Sequence, residues 1–295
     1  MTKTAMITIC GRPNVGKSTL TNALVGEKIA IVSPKPQTTR SRITAIVSHG
    51  DTQFVLLDTP GFHKPRTRLG DYMVNVVRES VADVDCVLLL VEPIPSVGPQ
   101  EEALIERLRQ AKVPALLVIN KIDTVDKAGL LAVMAVYAAA FDFDAILPVS
   151  AKTGEGLEEL LTEMEKYAAE GPHLFPDDMI TDQPERQICA ELVREKLLKC
   201  LDKEIPHGTA VEVTKFSERD NGIIDLEVTI FCEKDSHKGI IIGKKGAMLK
   251  KIGELARKDI EEFMGAKVNL QTWVKVKENW RDSMASLRNF GFTEQ

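Results

Sequence analysis

The chain has 295 residues, 44% of them apolar and 27% charged, and a formal net charge of −5. This length suffices for two ordinary domains with separate cores, and the composition excludes a disordered chain and a uniformly basic nucleic-acid-binding protein. The charge is unevenly spread, because residues 180–295 hold 20 basic and 20 acidic residues, while residues 234–258 hold eight basic residues against two acidic ones. We therefore expect a local basic patch in the C-terminal third.

The cysteines are odd in number, widely spaced and mostly set in apolar runs: Cys10, Cys86, Cys189, Cys200 and Cys232. This pattern is typical of free thiols in a reducing compartment rather than of disulfides or metal ligands. No apolar run approaches the roughly 18 residues of a membrane span, and the stretch before the first functional loop is too short for a signal peptide. We expect a cytoplasmic protein that acts as a monomer.

The first 170 residues alternate short apolar runs with helical patterns. Strands are predicted at residues 5–10, 43–48, 53–58, 86–91, 115–120 and 145–149. Helices are predicted between most of them, at residues 17–25, 71–81, 100–111, 128–141 and 156–169. Apolar strands separated by amphipathic helices indicate an α/β fold, with a mostly parallel sheet and helices on both faces. The second and third strands are predicted to form an antiparallel hairpin at one edge.

A proline-rich, acidic stretch at residues 171–184 is predicted to be a linker between domains 1–170 and 185–295. The later segment predicts a small α+β domain, with helices at 185–201 and 247–263, strands at 209–217, 223–233 and 267–276, and a short terminal helix. Its large aromatic residues Trp273, Trp280 and Phe290 are expected in the core.

Gly11 opens a G-x-x-x-x-G-K-[ST] motif that follows a predicted strand and leads into a helix. This context indicates a phosphate-binding loop, because glycines let backbone N–H groups surround phosphate oxygens and the helix N-terminus adds a positive dipole. The Lys17 ammonium would neutralise the β and γ phosphates, and the Ser18 hydroxyl would bind Mg²⁺. The loop predicts a nucleotide but does not identify its base.

Three further motifs follow strands, whose carboxyl ends meet at one edge of a parallel sheet. The Asp123 carboxylate can accept two hydrogen bonds from guanine N1–H and N2–H₂, a pair that adenine does not supply. The Ala151 N–H can reach guanine O6, Asp58 can hold the Mg²⁺ shell, and the Gly61 N–H can reach the γ phosphate. The residues expected to contact the nucleotide are Gly11, Arg12, Pro13, Asn14, Val15, Gly16, Lys17, Ser18, Thr19, Asp58, Thr59, Pro60, Gly61, Asn120, Lys121, Asp123, Ser150, Ala151 and Lys152.

In their order, these motifs resemble those of the translation-factor-related GTPases, in the branch with tRNA-modification and ribosome-assembly GTPases. The resemblance places the metal-binding threonine of the effector loop at Thr39, with Thr38 as its close competitor. It implies a Mg²⁺ site of Ser18, Thr39 and Asp58. The catalytic residues would be Lys17, Thr39, Asp58, Gly61 and Asn14.

Two positions bear on the rate of hydrolysis. Many regulatory GTPases carry glutamine after the D-x-x-G motif to orient the attacking water, but this chain has Phe62, so we expect slow intrinsic hydrolysis. In related GTPases with asparagine at the position of Asn14, that residue helps to bind K⁺, and the resemblance implies the same cofactor here.

The C-terminal domain carries a G-x-x-G loop between two helical stretches, and this loop resembles the signature of a type II KH domain. Its backbone N–H groups and lysines would clamp the phosphates of single-stranded RNA beside an apolar groove. The expected RNA-binding residues are Ile240, Ile241, Ile242, Gly243, Lys244, Lys245, Gly246, Lys250 and Lys251.

Together with PQTTR, DTPGFHKP, NKID, VSAK, IIGKKG and VKVKENWRD, a GTPase domain followed by a KH domain resembles the bacterial Era GTPases over nearly the whole chain. The resemblance implies GTP and GDP as ligands. It also implies binding near the 3′ end of small-subunit ribosomal RNA, a role in small ribosomal subunit assembly, and peripheral contact with the inner membrane surface.

Two other functions stay open on the residues alone. An ATP-using P-loop enzyme, such as a small-molecule kinase, would bind ATP in competition with GTP and would not need Asp123. An RNA chaperone with a vestigial nucleotide site would bind RNA equally in its GTP and GDP forms and would tolerate Lys17→Ala.

Overall fold

A computed structural model describes residues 1–62, 65, 67–81 and 83–292. The chain divides into two compact units. The first comprises Met1–Ala30, Thr39–Lys64 and Met73–Asp182, and the second comprises Ile31–Thr38, Pro65–Tyr72 and Gln183–Gln295. Two short N-terminal segments therefore group with the C-terminal part of the chain, which the linear boundaries proposed from the sequence do not describe.

The first unit is built around a mixed sheet. The strands are β1 (Lys3–Cys10), β2 (Ile43–His49), β3 (Thr52–Asp58), β4 (Cys86–Val91), β5 (Ala115–Ile119), β6 (Ala145–Pro148) and β7 (Ala169–Glu170). The helices along this part of the chain are α1 (Lys17–Val25), α2 (Arg68–Ser80), α3 (Pro99–Ala111), α4 (Lys127–Ala140) and α5 (Leu157–Met164). The strand order is β2-β3-β1-β4-β5-β6, parallel except for β2, and β7 pairs with β1 antiparallel. The predicted α/β fold and edge hairpin are thus confirmed.

Successive residues of the central strands enter two separate cores. On β4, Leu88 and Leu90 join one apolar cluster, whereas Val87 and Leu89 join another. Because side chains alternate across a strand, both faces of the sheet are buried under helices. The strand order reverses at β1, which lies between β3 and β4. In open α/β sheets this is the place where ligands bind, beyond the carboxyl ends of the strands.

The stretch predicted to be a linker is an ordered strap on the first unit as far as Asp182. The buried Gln53 side chain binds it three times, accepting from the N–H groups of Leu174 and Phe175 and donating to the Phe175 carbonyl. Farther along, Thr181 forms a bridge to Ala45 of β2. The proline and acidic content that led to the linker prediction did not reveal these side-chain contacts.

The second unit is a small α+β domain, as predicted. Its helices are α6 (Glu185–Cys200), α7 (Asp235–Ile242), α8 (Ala247–Met264) and α9 (Met284–Asn289), and its strands are β8 (Ala210–Glu218), β9 (Ile224–Cys232) and β10 (Val268–Val276). The sheet order is β10-β9-β8, with β10 parallel and β8 antiparallel to the central β9. An apolar core lies between this sheet and helices α6, α7 and α8.

The aromatic residues of this unit differ in burial. Trp280 is fully buried, and its indole N–H donates to the Gly208 carbonyl at 2.9 Å. Phe290 packs edge-on against it, with ring centroids 5.3 Å apart. Trp273 keeps 55% of its surface exposed, so the expectation that it is a core residue was wrong. It lies on β10, where alternate residues point away from the core.

The described cysteines are all free, and all but Cys200 are buried. Among the described residues, no helix combines the length and the apolar character that crossing a membrane requires.

A histidine clasp links the edge hairpin to α5 and the turn after it. His49, at the end of β2, places Nδ1 2.8 Å from Glu165 and Nε2 3.1 Å from Glu158. The hydrogen bond to Glu165, followed by that to Glu158, raises the pKa of His49 above its ordinary value. A group whose pKa is raised by folding stabilises the fold when protonated.

We therefore expect His49 to make stability depend on pH. Its contribution should be complete below the unfolded pKa of about 6.5 and should disappear as pH rises through the higher folded pKa. Urea unfolding followed by circular dichroism across this range should show the wild type losing stability relative to His49→Gln. The control His237→Gln removes a histidine that has no carboxylate partner among the described residues. If the free energies of unfolding of the wild type and His49→Gln changed in parallel with pH, the clasp would be contradicted.

Candidate nucleotide site and nucleic-acid interface

The predicted phosphate loop connects β1 to α1 and needs glycine at two of its positions. Gly16 has φ of 102°, and a Cβ there would lie 2.2 Å from the Asn120 amide nitrogen. Gly11 would meet the Leu90 carbonyl oxygen at 2.4 Å. Any side chain would therefore push apart the loop and the neighbouring strand ends, so the glycine pattern read from the sequence has a steric cause.

The Lys17 ammonium lies inside this loop. It donates to the carbonyl oxygens of Gly11 at 3.1 Å and Arg12 at 3.0 Å. Burial lowers the pKa of Lys17 to about 8, although the charges of Asp58 and Cys10 oppose the shift. A desolvated ammonium of this kind binds an anion strongly, because the anion restores the interactions lost with water.

The three residues proposed as metal ligands meet beside the loop. The Ser18 hydroxyl lies 2.8 Å from the Thr39 hydroxyl and 2.8 Å from Asp58 Oδ2. Thr38, the competing threonine, instead donates its hydroxyl to the Lys35 carbonyl at 2.6 Å. The structure thus brings Thr39, and not Thr38, to the other two residues.

Asp58 is the most constrained group of this cluster. It is fully buried, and among the described residues its Oδ1 atom has no hydrogen-bond partner. Burial raises the pKa of Asp58 to about 6, although the Lys17 charge and the Ser18 hydrogen bond act in the opposite direction. A buried carboxylate oxygen without a partner is costly, and a hard cation with oxygen ligands would relieve it. The set of Ser18, Thr39 and Asp58 therefore fits Mg²⁺.

The base-recognition motifs follow β5 and β6, as predicted. Asn120 ties them to the phosphate loop, because its amide donates to the Val15 carbonyl at 2.8 Å. Asp123 accepts the Ser150 hydroxyl at 2.7 Å, and its carboxylate is exposed and accessible to a base. The Ala151 N–H, assigned from the sequence to guanine O6, donates here to Asn120 Oδ1 at 2.9 Å. A guanine oxygen would have to share or replace that acceptor.

The D-x-x-G turn approaches the phosphate loop closely. A Cβ on Gly61 would lie 2.8 Å from Pro13 Cα, and the next N–H, of Phe62, donates to the Gly11 carbonyl at 3.1 Å. The Phe62 side chain packs against the apolar cluster around β4 and α3, with the Arg107 guanidinium 4.4 Å above its ring. Phe62 is thus a packing residue and offers no hydrogen bond to water.

The remaining predicted contact residues surround this centre. Arg12 pairs with Glu92 and Glu101, and Lys121 pairs with Glu92 while donating to the Asn14 carbonyl. The Thr59 hydroxyl donates to the Ile9 carbonyl at 2.8 Å. Val15 and Pro60 are buried, Thr19 lies in the first turn of α1, and the side chains of Asn14 and Lys152 are exposed.

A buried charged cluster on α6, which was not predicted from the sequence, holds residues 31–38 within the second unit. Arg194 donates to the Thr38 carbonyl and pairs with Glu191, and the fully buried Glu195 accepts from the Val32 N–H at 3.0 Å. Lys196 neutralises Glu195 at 2.6 Å. The available signal was the charged run Arg194-Glu195-Lys196 between the apolar pairs Leu192-Val193 and Leu197-Leu198 of α6. Buried charges of this kind are retained where they are paired.

The predicted RNA-binding loop joins α7 to α8. Gly243 has φ of 73°, and a Cβ there would lie 2.7 Å from the Met248 Cβ. Lys244, Lys245, Lys250 and Lys251 are all exposed, and among the described residues only Lys250 of these four has an ion pair, 3.9 Å from Glu254. The loop therefore presents positive charge to solvent, as an anion-binding surface would.

The three isoleucines before this loop have different environments. Ile240 is 50% exposed, Ile242 is half-buried, and Ile241 is fully buried in the core between helices and sheet. A direct RNA contact through the Ile241 side chain was therefore a wrong expectation, because that side chain anchors α7. Helical spacing could have separated it from Ile240, because consecutive helical residues point in directions about 100° apart.

Comparisons with known proteins agree with this geometry. The family model described as 50S ribosome-binding GTPase matches residues 6–121, and the KH domain model matches residues 204–281. GTPase Era of Ruminiclostridium cellulolyticum is 50% identical over 98% of this chain and 97% of its own length. GTPase Era of Clostridioides difficile is also 50% identical, over 100% of both chains.

Two solved structures share the whole fold at 36% identity and a TM-score of 0.95. One is a variant of Aquifex aeolicus Era bound to GDP·AlF₄⁻, matched over 99% of this chain and 100% of that one. The other is Era in complex with MgGDPNP and nucleotides 1506–1542 of 16S ribosomal RNA, matched over 100% of both chains. The half-identical relatives cover nearly the full length, and the chain belongs to the Era family of GTPases.

Proposed function

We propose that this GTPase is a switch that binds the single-stranded 3′ end of small-subunit ribosomal RNA and assists assembly of the small ribosomal subunit. The observation that carries the proposal is the meeting of Ser18, Thr39 and a buried, incompletely partnered Asp58. Through Thr39, this cluster would make the position of the effector loop depend on which nucleotide occupies the phosphate site. The exposed lysines of the KH loop, in the same chain, supply the RNA contact.

Nucleotide binding follows from the loop geometry. The γ phosphate would replace the carbonyl oxygens that now engage the Lys17 ammonium, and the Gly61 N–H would donate to it. Ser18, Thr39 and Asp58 would hold Mg²⁺, which supplies positive charge to the phosphates when bound. Asp123, oriented by the Ser150 hydroxyl, would choose guanine by accepting from both of its ring-edge donors.

Switching would use the two segments whose positions depend on the γ phosphate, those of Thr39 and Gly61. Loss of the γ phosphate removes a partner of the Gly61 N–H and weakens the hold on Thr39, so both segments relax. The peptide before Thr39 is held on α6 through Arg194 and Glu195. We propose that this peptide carries the nucleotide state to the RNA-binding unit.

RNA recognition would occur at the α7–α8 loop. Its backbone N–H groups and the Lys244 and Lys245 ammonium groups would contact phosphates, while the half-exposed Ile240 lines the apolar surface for bases. The solved Era structure with a fragment of 16S ribosomal RNA supports this class of ligand. The match to a KH model supports the single-stranded form.

The specificity of the site for guanine tests the proposed binding of GTP. Asp123→Asn removes an ionic acceptor of two guanine hydrogen bonds, which are worth about 1.5–3 kcal/mol each when made to a charged group. GTP affinity, measured by calorimetry, should fall by about tenfold or more, and ATP should not gain. Xanthosine triphosphate, which has an acceptor where guanine has its amino group, should bind the variant better than the wild type.

The matched control is Asp126→Asn. This neighbouring aspartate caps α4 by accepting the Gly129 N–H at 2.8 Å, so its replacement should affect stability and not base choice. Unchanged preference for GTP in Asp123→Asn, or equal uptake of ATP and GTP by the wild type, would support the rival ATP-using enzyme.

The RNA half is tested with an oligonucleotide from the 3′ end of small-subunit ribosomal RNA. The double variant Lys244→Gln/Lys245→Gln should weaken binding and reduce the slope of log affinity against log salt by about 0.7 for each lost phosphate contact. Lys267→Gln, an exposed lysine paired with Glu261, is the matched control.

The same oligonucleotide should bind more tightly to the protein loaded with a non-hydrolysable GTP analogue than with GDP. Crosslinking with sequencing in both states would identify the RNA segment. Equal affinity in the two states would instead favour the RNA chaperone with a vestigial nucleotide site.

We also propose that K⁺ assists hydrolysis through Asn14, because Phe62 cannot orient water. Turnover in K⁺ buffer should exceed that in Na⁺ buffer by about tenfold, equivalent to about 1.4 kcal/mol of the barrier. Asn14→Ala should abolish the difference, and Asn14→Asp, which keeps a side-chain oxygen, should retain it. Equal rates for wild type and Asn14→Ala in both salts would eliminate this role.

A further inference from the structure

The outer face of the three-stranded sheet in the second unit is only partly covered. Helices α6, α7 and α8 pack on the inner face. On the outer face, Phe231 of β9 contacts the Phe290 ring at a centroid distance of 5.0 Å, and Lys277 lies 4.6 Å from the same ring. This covered patch is at the carboxyl end of β9. The rest of the face carries the exposed Trp273.

Trp273 is unusual because large aromatic side chains in a small domain are normally buried. The chain has two tryptophans, and the other one, Trp280, is fully buried with its N–H satisfied. The neighbour of Trp273 across the sheet, Thr229, is itself buried. The ring thus lies on a well-packed surface while more than half of it faces solvent.

The charges around the ring favour an anionic partner. Lys275, two residues farther along β10 and therefore on the same face, is exposed and has no ion pair among the described residues. The nearest acidic side chain of the neighbouring strand, Glu227, is paired with Lys215 at 3.9 Å. Asp225, farther along, is engaged by Arg219 and Asn269. Glu212, exposed on β8 opposite Thr229, shares this face but lies one strand farther from the ring. The face therefore combines a stacking platform with a lysine on the same strand that has no ion pair among the described residues.

The position of β10 connects this face with the proposed RNA-binding loop. It is an edge strand of the sheet, and α7 and α8 pack on its other side. A KH loop clamps about four nucleotides. The helices that flank the loop and the ring of Trp273 thus lie on opposite faces of one edge strand, and no further strand lies beyond that edge among the described residues.

We infer that Trp273 and Lys275 form a second contact for single-stranded RNA, with a base stacked on the indole and a phosphate at the ammonium. This inference rests on the proposed RNA-binding function and extends it beyond the G-x-x-G loop. Stacking on an aromatic residue tolerates any base. The second contact would therefore raise the affinity and the number of nucleotides bound, and it would not add sequence specificity.

The test compares a four-nucleotide RNA with a twelve-nucleotide RNA of which it forms the core, using the full-length protein. Trp273→Ala should weaken binding of the longer RNA by about tenfold, within the range for loss of one stacked base, and leave the shorter RNA unaffected. Trp273→Phe should restore most of the affinity. Lys275→Gln should lower the salt dependence for the longer RNA only. The control Leu131→Ala removes an apolar side chain of the first unit that is 65% exposed.

Intrinsic fluorescence gives an independent readout. Because Trp280 is buried, the longer RNA should quench the emission of Trp273 in the wild type, and this quenching should be absent in Trp273→Phe although that variant still binds. Unchanged GTP hydrolysis and far-ultraviolet circular dichroism would establish that the variants are folded.

The alternatives give distinct results. If Trp273→Ala binds the longer RNA like the wild type while the Lys244/Lys245 double variant does not, the second contact is refuted and the proposed function stands. If neither variant affects RNA binding, both fail. Weaker binding of Trp273→Ala to whole small subunits, with unchanged binding to both RNAs, would assign this face to a protein and overturn the inference.

Discussion

The carboxylate of Asp58 is the constraint on which the nucleotide site depends. It is fully buried, and the Ser18 hydroxyl and Lys17 charge compensate it only in part, so that its pKa is raised to about 6. A fold retains such a cost where a ligand relieves it. Asp58 is the last residue of the buried strand β3, so the burial of that strand fixes its carboxylate. The Ser18 hydroxyl lies within 2.8 Å of both this carboxylate and the Thr39 hydroxyl. The core of the first unit thus positions an oxygen cluster for a cation rather than merely holding helices together.

The same convergence explains the requirements on the surrounding loops. A side chain at Gly61 would collide with Pro13, and one at Gly16 would collide with Asn120. The phosphate loop is therefore in contact with both the D-x-x-G turn and the turn that carries Asn120. Within the second unit the Thr38 carbonyl accepts from Arg194, and within the first unit the Thr39 hydroxyl lies 2.8 Å from that of Ser18.

Much of this could be predicted from the sequence because the signals were local. The strand and helix pattern, the phosphate loop and the motifs after β3, β5 and β6 depend on residues close together in the chain, and the structure brings them to one edge of a sheet. Features that depend on distant contacts were missed. The strap held by Gln53, the anchoring of residues 31–38 by Arg194 and Glu195, and the burial of Ile241 require knowledge of what packs where. Trp273 was misassigned because hydrophobicity predicts burial only on average, and strand alternation around it did not show which face was covered.

The two units handle charge in opposite ways, and this difference has a functional consequence. In the first unit the key charges, Lys17 and Asp58, are buried, where salt screens them weakly. In the second unit the lysines of the α7–α8 loop, together with Lys275, are exposed and subject to screening. Nucleotide occupancy should therefore change little over a range of ionic strength in which RNA affinity changes strongly.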